Sequence, residues 1–462
     1  MPLSNLPAES IFDIADRLDN ADINALARTN SQIYRFLNTY LYRRDVTTGY
    51  ESDALAWATA FGMESTAQRA VDAGKHLDPI PVSFEIALAE AASQGVVSIV
   101  TILLKINGIN PNYDGWRSGP CLTLAADHGH SAVIELLLAM DNIDPNVRDV
   151  FNDTPLHRAI DSGHITPIRQ LLARNDIDVN AVGDRGETPL LKAIRASNTE
   201  IINLLLSKEG IEVNLHTPLL SAIRRRLMEV VDSFFARDDL DLNIIVDHRG
   251  DHLLLYAAWF RLGLDKVKLI LDRTNVNPDF VGTGGHTAFI IACRTEDENI
   301  ELIEFLVEQG INVNRQAGTS MMTGFCYAVL YGHSKVIKFL LTLDDMNPNN
   351  LPDVRGNAPL VYAISRQNLS VVGMLLQNDG IFVNARNHDG CTALAYACGY
   401  AQPNHYIVDS VKLLLSHPDI DPNILDNNGV SPLSKVIELR RTGMNPEYRQ
   451  MIARLLCAAG AR

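Results

Sequence analysis

Paired cysteines, long apolar runs and an excess of basic residues are all missing from this sequence. Six cysteines are scattered along 462 residues, at Cys121, Cys293, Cys326, Cys391, Cys398 and Cys457, and no C-x-x-C pair occurs. That scatter excludes the dense disulfide framework of a small secreted domain. Reduced thiols in the cytoplasm or nucleus are the expected state. No apolar run approaches the roughly 20 residues of a membrane-spanning helix; the stretch Leu253 to Phe260 is far too short. The opening stretch Met1 to Ser10 has no basic n-region and no apolar h-region, so no secretion signal is expected there. The formal net charge is −15. Phosphate contacts come from Lys and Arg, so this balance argues against nucleic acid as a partner.

Signatures of catalysis are missing as well. There is no G-x-x-x-x-G-K-[ST] phosphate loop, no G-x-S-x-G elbow and no H-E-x-x-H metal helix. Gly282-Thr283-Gly284-Gly285 is glycine-rich but falls in a turn slot, and it reads as a flexible finger. Neither cofactor nor metal is expected, and the chain is not expected to be an enzyme. One opening for chemistry remains: His248, His252, Arg225 and Asp251 could serve as acid–base groups if folding gathered them.

What is present is a repeat. A D/N-x-N or D-P-N phrase follows a run of leucines at Asn112, Asn146, Asn180 and Asn214, 34 residues apart each time. Later copies end at Asn243, Asp279, Asn314, Asn349, Asn384 and Asn423, with spacings from 29 to 39. A long fixed period means stacked units, each too small to bury a core alone. Inside a period the order is constant. Thr154-Pro155-Leu156-His157 with Ala159 is followed by Ser162-Gly163-His164 and then Ile168 to Leu172. Thr is a good helix N-cap, and Pro suits the first helical position because its missing N–H costs nothing there. Small alanines allow close helix approach. Gly129, Gly163 and Gly332 are placed to end the first helix in a left-handed conformation.

This pattern resembles the ankyrin repeat, whose signature is T-P-L-H-x-A. Parallel phrases stand at Thr188-Pro189-Leu190, Thr217-Pro218-Leu219, Ala358-Pro359-Leu360, Thr392-Ala393-Leu394 and Ser431-Pro432-Leu433. The resemblance implies an all-α solenoid of about 12 repeats over residues 51–462, built to hold a protein target on its concave surface. It also gives most of the 13 histidines a place. His130, His164 and His333 take the G-H position, and His157 the H of T-P-L-H.

The array departs from its own rule in the middle. Only Leu215 and His216 separate Asn214 from Thr217, so the sixth unit lacks room for a hairpin finger. Arg224 and Arg225 follow, and the seventh unit has His252 in place of Thr and Trp259-Phe260 at its helix end. Arg224, Arg225, His248, Arg249, His252 and Trp259 therefore mark either a binding notch or an eroded repeat. Tyr113 and Trp116 in the third turn, Phe151 in the fourth and Arg185 in the fifth are further partner-binding candidates, or else they pack on neighbouring hairpins.

Residues 1–46 carry no repeat phrase. Leu6, Ile11, Ile14 and Leu18 fall on one helical face. Asp22 can cap a second helix bearing Ile23, Leu26 and Ala27, and Ile33, Phe36, Leu37 and Leu41 continue a third. With its Leu6-Pro7 opening, the segment resembles an F-box, and an F-box ahead of many repeats resembles proteins of filamentous fungi. The resemblance implies that Leu6, Pro7, Ile11, Ile14, Leu18 and Leu26 dock a Skp-type adaptor. The chain would then be a monomeric substrate receptor of a cullin-type ubiquitin ligase. Two alternatives stay open: a plain scaffold whose N-terminal helices cap the array, and an enzyme or small-molecule binder using the notch.

Overall fold

The computed structural model describes residues 14, 15, 42, 53–77, 80–114, 119–214, 218–243, 250–349, 355–399, 405–438 and 446–462. Those residues form two units, Met1–Asp238 and Asp239–Arg462. In the first, Asp53–Phe61 pairs with Glu64–Gly74, Val82–Gln94 with Val97–Leu103, and Cys121–Asp127 with Ser131–Leu138. Pro155–Asp161 pairs with Ile165–Leu172, Pro189–Ala196 with Thr199–Leu206, and Pro218–Arg224 with Met228–Phe235. In the second, Leu253–Phe260 pairs with Leu264–Arg273, Ala288–Arg294 with Ile300–Glu308, and Gly324–Tyr331 with Ser334–Leu340. Pro359–Ser365 then pairs with Leu369–Leu376, Ala393–Gly399 with His405–Leu415, and Pro432–Glu438 with Pro446–Ala458. The one strand pair among the described residues, Gln316–Ala317 with Met322–Thr323, lies in a hairpin. The fold is all-α, as expected. Residues 215–217, where a finger was expected to be missing, lie outside the described residues.

Local sequence explains the helix boundaries. Thr188, Thr287, Thr323 and Thr392 each accept the N–H three residues on, from Leu191, Ile290, Cys326 and Ala395. Asn198, Asn299 and Asn368 cap second helices in the same way. Gly129 ends its helix at φ 76°, a conformation with little room for a Cβ. A Cβ there would also stand 2.8 Å from the His164 ring of the next repeat. Within each unit, first helices stack on first helices. Ala125, Ala159 and Ala193 are fully buried in that contact, whose closeness their size permits. Phe84 and Phe234 fill the first unit and Phe289 and Phe325 the second, each contributing about 1.5–3 kcal/mol by burial.

The D-x-N phrase has two physical jobs. Its first residue makes an Asx turn: Asp144 Oδ1 accepts the Asn146 N–H at 2.9 Å, and Asp178 does the same for Asn180 at 3.0 Å. Its last residue ties one repeat to the next. Asn146 Nδ2 donates to the Asp176 carbonyl at 2.7 Å, while its Oδ1 accepts the Asp178 N–H at 2.7 Å. Asn112, Asn180, Asn314, Asn349, Asn384 and Asn423 repeat this two-point clasp. The clasp needs a donor and an acceptor on one side chain, which explains why asparagine recurs. Asp279 stands in that place without an amide donor and instead takes an ion pair from Arg315 at 2.7 Å. Asn146→Ala is expected to cost about 1–2 kcal/mol and to speed hydrogen exchange at the Asp178 amide. Unchanged protection of that amide would show the clasp to be incidental.

Candidate binding sites on the hairpin and first-helix face

In the second unit a pocket of about 350 Å³ opens between the first-helix residues Leu255, Tyr256, Trp259, Phe260, Ile291 and Arg294 and the hairpin Gly282–His286, with Asp251 at its edge. Trp259 is 51% exposed, a large apolar surface left facing water. Arg294, the last residue of its helix, lies over the Trp259 ring at 5.6 Å and over the Tyr327 ring at 5.7 Å. Its Nη1 also lies 3.3 Å from His286 Nε2. Burial, and then the Arg294 charge, hold His286 below its ordinary pKa. The ring is therefore neutral near pH 7 and accepts from the guanidinium. Arg294 has no carboxylate partner among the described residues.

The hairpin that walls this pocket is braced. Gly282 N–H donates to the His286 carbonyl and Gly285 N–H to that of Gly282. Asp251 Oδ1 accepts the Thr283 N–H at 2.7 Å. The finger that the glycines predict to be flexible is thus tied at Gly282, Thr283 and Gly285.

A second, more polar pocket of about 240 Å³ lies in the first unit, lined by Phe151, Asp153, Arg158, Asp161, Asp184, Arg185, Lys192 and Arg195. Here each base has an acid. Lys192, 3% exposed, reaches Asp153 at 2.9 Å and Asp161 at 2.5 Å. Arg158 pairs with Asp149 at 2.6 Å, Arg195 with Glu187 at 3.2 Å and Arg185 with Asp184 at 3.4 Å. Phe151 lies over the Arg158 guanidinium at 5.0 Å. Two expected partner-binding residues, Phe151 and Arg185, come together at this rim, both exposed.

Tyr113 is half-buried, and Trp116, His248 and Arg249 lie outside the described residues. Arg224 and Arg225 are exposed in the first unit, and Arg225 Nη1 donates to Ser197 Oγ at 3.2 Å. His252 is 9% exposed in the second unit, where it caps a helix. Its Nδ1 accepts the Leu254 N–H at 3.1 Å, and burial lowers its pKa. His252 therefore does the job of the missing Thr as a buried helix cap. Arg224 and Arg225 belong to the first unit and His252 and Trp259 to the second, and of these four Trp259 lines the pocket of about 350 Å³. Of the adaptor candidates, Ile14 is half-buried, and Leu6, Pro7, Ile11, Leu18 and Leu26 lie outside the described residues.

The repeat histidines have structural work. His130 Nε2 meets the Ser93 carbonyl at 2.9 Å and His333 Nε2 the Thr295 carbonyl at 2.8 Å. His157 bonds the Thr154 N–H and hydroxyl through Nδ1 and reaches the Glu187 carbonyl through Nε2 at 3.2 Å. Nothing in the sequence singles out Tyr256, His286 and Arg294. They carry no motif, and although the glycines mark the hairpin, nothing local signals that it sets His286 beside Arg294.

A family profile described as "Ankyrin repeats (3 copies)" matches residues 55–149, 88–183, 122–217, 156–246, 253–350 and 325–426. The chain is 28% identical over 182 residues to alpha-latrocrustotoxin-Lt1a of Latrodectus tredecimguttatus, which spans 37% of this chain but 12% of that protein. It is 29% identical over 203 residues to the ankyrin repeat protein YahD of Escherichia coli strain K12, covering 43% of this chain and 91% of YahD. A solved ankyrin repeat domain from Acinetobacter baumannii is 27% identical, covers 46% of this chain and 98% of its own, and superposes with a TM-score of 0.39.

Proposed function

Because the chain belongs to the ankyrin-repeat family, we propose that it is the target-holding subunit of a larger assembly, one end gripping a protein and the other docking a second. Ankyrin repeats make the array a protein–protein interaction module, and such modules are in general non-catalytic. The observation that carries the proposal is the Trp259–Arg294 pocket. An exposed aromatic ring beside a cation with no acid partner among the described residues has the makeup of an interface anchor. The braced hairpin keeps the pocket preformed, which limits the entropy lost on binding.

The second docking function rests on residues 1–46. Their Leu6-Pro7 opening and the face of Ile11, Ile14 and Leu18 support an F-box-like segment that binds a Skp-type adaptor. The target would then be presented to a cullin-type ubiquitin ligase. None of the six cysteines is in a disulfide and five of them are buried, which supports a reducing compartment, cytoplasm or nucleus. A monomeric receptor suits this role.

Purified full-length chain is expected to retain a purified Skp-type adaptor on a column, and Leu6→Ala/Pro7→Ala is expected to abolish retention while leaving the helical melt unchanged. Failure of the unaltered chain to bind the adaptor would reduce residues 1–46 to a cap on the array.

A further inference from the structure

We propose that the pocket around Arg294 is a receptor for a single Asp or Glu side chain of a protein segment, with a neighbouring apolar side chain seated against Trp259. This rests on the protein-binding reading above and adds the chemistry of what is bound. It does not depend on the adaptor.

Charge is the first argument. Arg294 is held between two aromatic faces and one neutral histidine, and no described carboxylate neutralises it. In the first unit the basic groups of the comparable pocket are already satisfied by Asp149, Asp153, Asp161 and Glu187. One of the five guanidinium N–H donors goes to His286, and the planar fork on the remainder matches a carboxylate. The ring contacts fix that plane in advance, so little side-chain entropy is lost on pairing.

The donor set also selects among anions. A phosphate or a chain-terminal carboxylate is commonly held by successive backbone N–H groups. Here three hairpin amides are spent, which leaves no two successive ones within Gly282–Gly285: Gly282 and Gly285 donate to carbonyls, and Thr283 donates to Asp251. The Asp251 carboxylate at the pocket edge adds a negative charge that disfavours a dianion. The net charge of −15 likewise opposes an acidic run. A lone carboxylate flanked by apolar groups meets all three conditions. The apolar wall formed by Leu255, Trp259 and Ile291 accounts for the flanking side chain.

The test uses the full chain and three synthetic peptides with blocked ends. One carries Phe-Glu-Leu at its centre, one carries Phe-Gln-Leu, and one carries phosphoserine in place of the glutamate. Binding is followed by calorimetry and by Trp fluorescence. The glutamate peptide is expected to bind at least about tenfold more tightly than the glutamine peptide, the scale of one charge-assisted hydrogen bond. Arg294→Gln is expected to erase that preference and Arg294→Lys to weaken it, while Arg366→Gln, the same charge change elsewhere, leaves it intact. Helical melts of each variant check folding. Equal binding of the glutamate and glutamine peptides overturns the carboxylate assignment but leaves a protein-docking pocket. Tighter binding of the phosphoserine peptide overturns it in favour of phosphate. No binding of any peptide overturns the pocket as a docking site, and adaptor retention is unaffected by that result.

Discussion

Lys192→Ala is expected to destabilise the first unit by about 3–5 kcal/mol, the scale seen when one partner of a buried ion pair is removed. The ammonium group is 3% exposed and touches two carboxylates, Asp153 at 2.9 Å and Asp161 at 2.5 Å. Asp153 is itself 3% exposed and accepts the Asp184 N–H at 3.0 Å. Without Lys192, Asp153 keeps a buried charge, and the join between the fourth and fifth repeats loses its centre. Asp153→Asn/Lys192→Met removes both charges while keeping an acceptor for Asp184, and should recover most of the loss. Urea unfolding followed by exchange at the Asp184 amide measures both effects. A loss under about 1 kcal/mol for Lys192→Ala would mean that water reaches the pair.

Acid should act on the same join in two steps. Burial lowers the His157 pKa, outweighing the pull of Asp153. The unfolded chain therefore takes up this proton first, and stability begins to fall below about pH 6.5. Burial alone would raise the Asp153 pKa, but the Asp184 N–H and Lys192 outweigh it and hold it low. The same balance, with Lys435 as partner, holds Asp426 low in the last repeat. A depressed carboxylate pKa gives stability that is present above about pH 4 and lost as pH falls further through the folded value. In Lys192→Ala the lower step should shrink in the first unit, because Asp153 loses the Lys192 ammonium and keeps only the Asp184 N–H and the more distant Arg158.

Gly285→Ala carries the second large effect. Gly285 has φ 72°, and a Cβ there would stand 2.4 Å from the Gly318 Cα and 2.5 Å from its nitrogen. Both contacts are with backbone, so no side chain can rotate away. Gly318 N–H donates to the Gly285 carbonyl at 3.2 Å, joining two consecutive hairpins. Left-handed strain and overpacking together make the cost roughly 2–4 kcal/mol. The wall of the Arg294 pocket should shift with it, seen as altered Trp259 fluorescence and a lower melting midpoint of the second unit. Gly186→Ala, also at positive φ but with open space around it, isolates the strain from the clash. If the two variants lose the same stability, the backbone contact is not what positions the hairpin.

Sequence alone determined the stack. Thr-Pro starts, buried alanines, left-handed glycines and the D-x-N phrase are local rules, and each recurs because each repeat solves the same problem. Even His252, off pattern as a letter, follows the pattern as a cap. The sites were legible only in part. Phe151, Arg185 and Trp259 stood out as exposed-looking residues at hairpins and helix ends, and the structure places them at pocket rims. Lys192, Arg294 and His286 did not stand out, because their roles depend on groups brought from other repeats. Asp153 reaches Lys192 across 39 residues, and Arg294 meets Tyr327 from the next repeat. Periodicity specifies which faces are buried, since burial repeats with the helix. It does not specify which charge lacks a partner, since that is settled by the single side chains that stacking brings within reach.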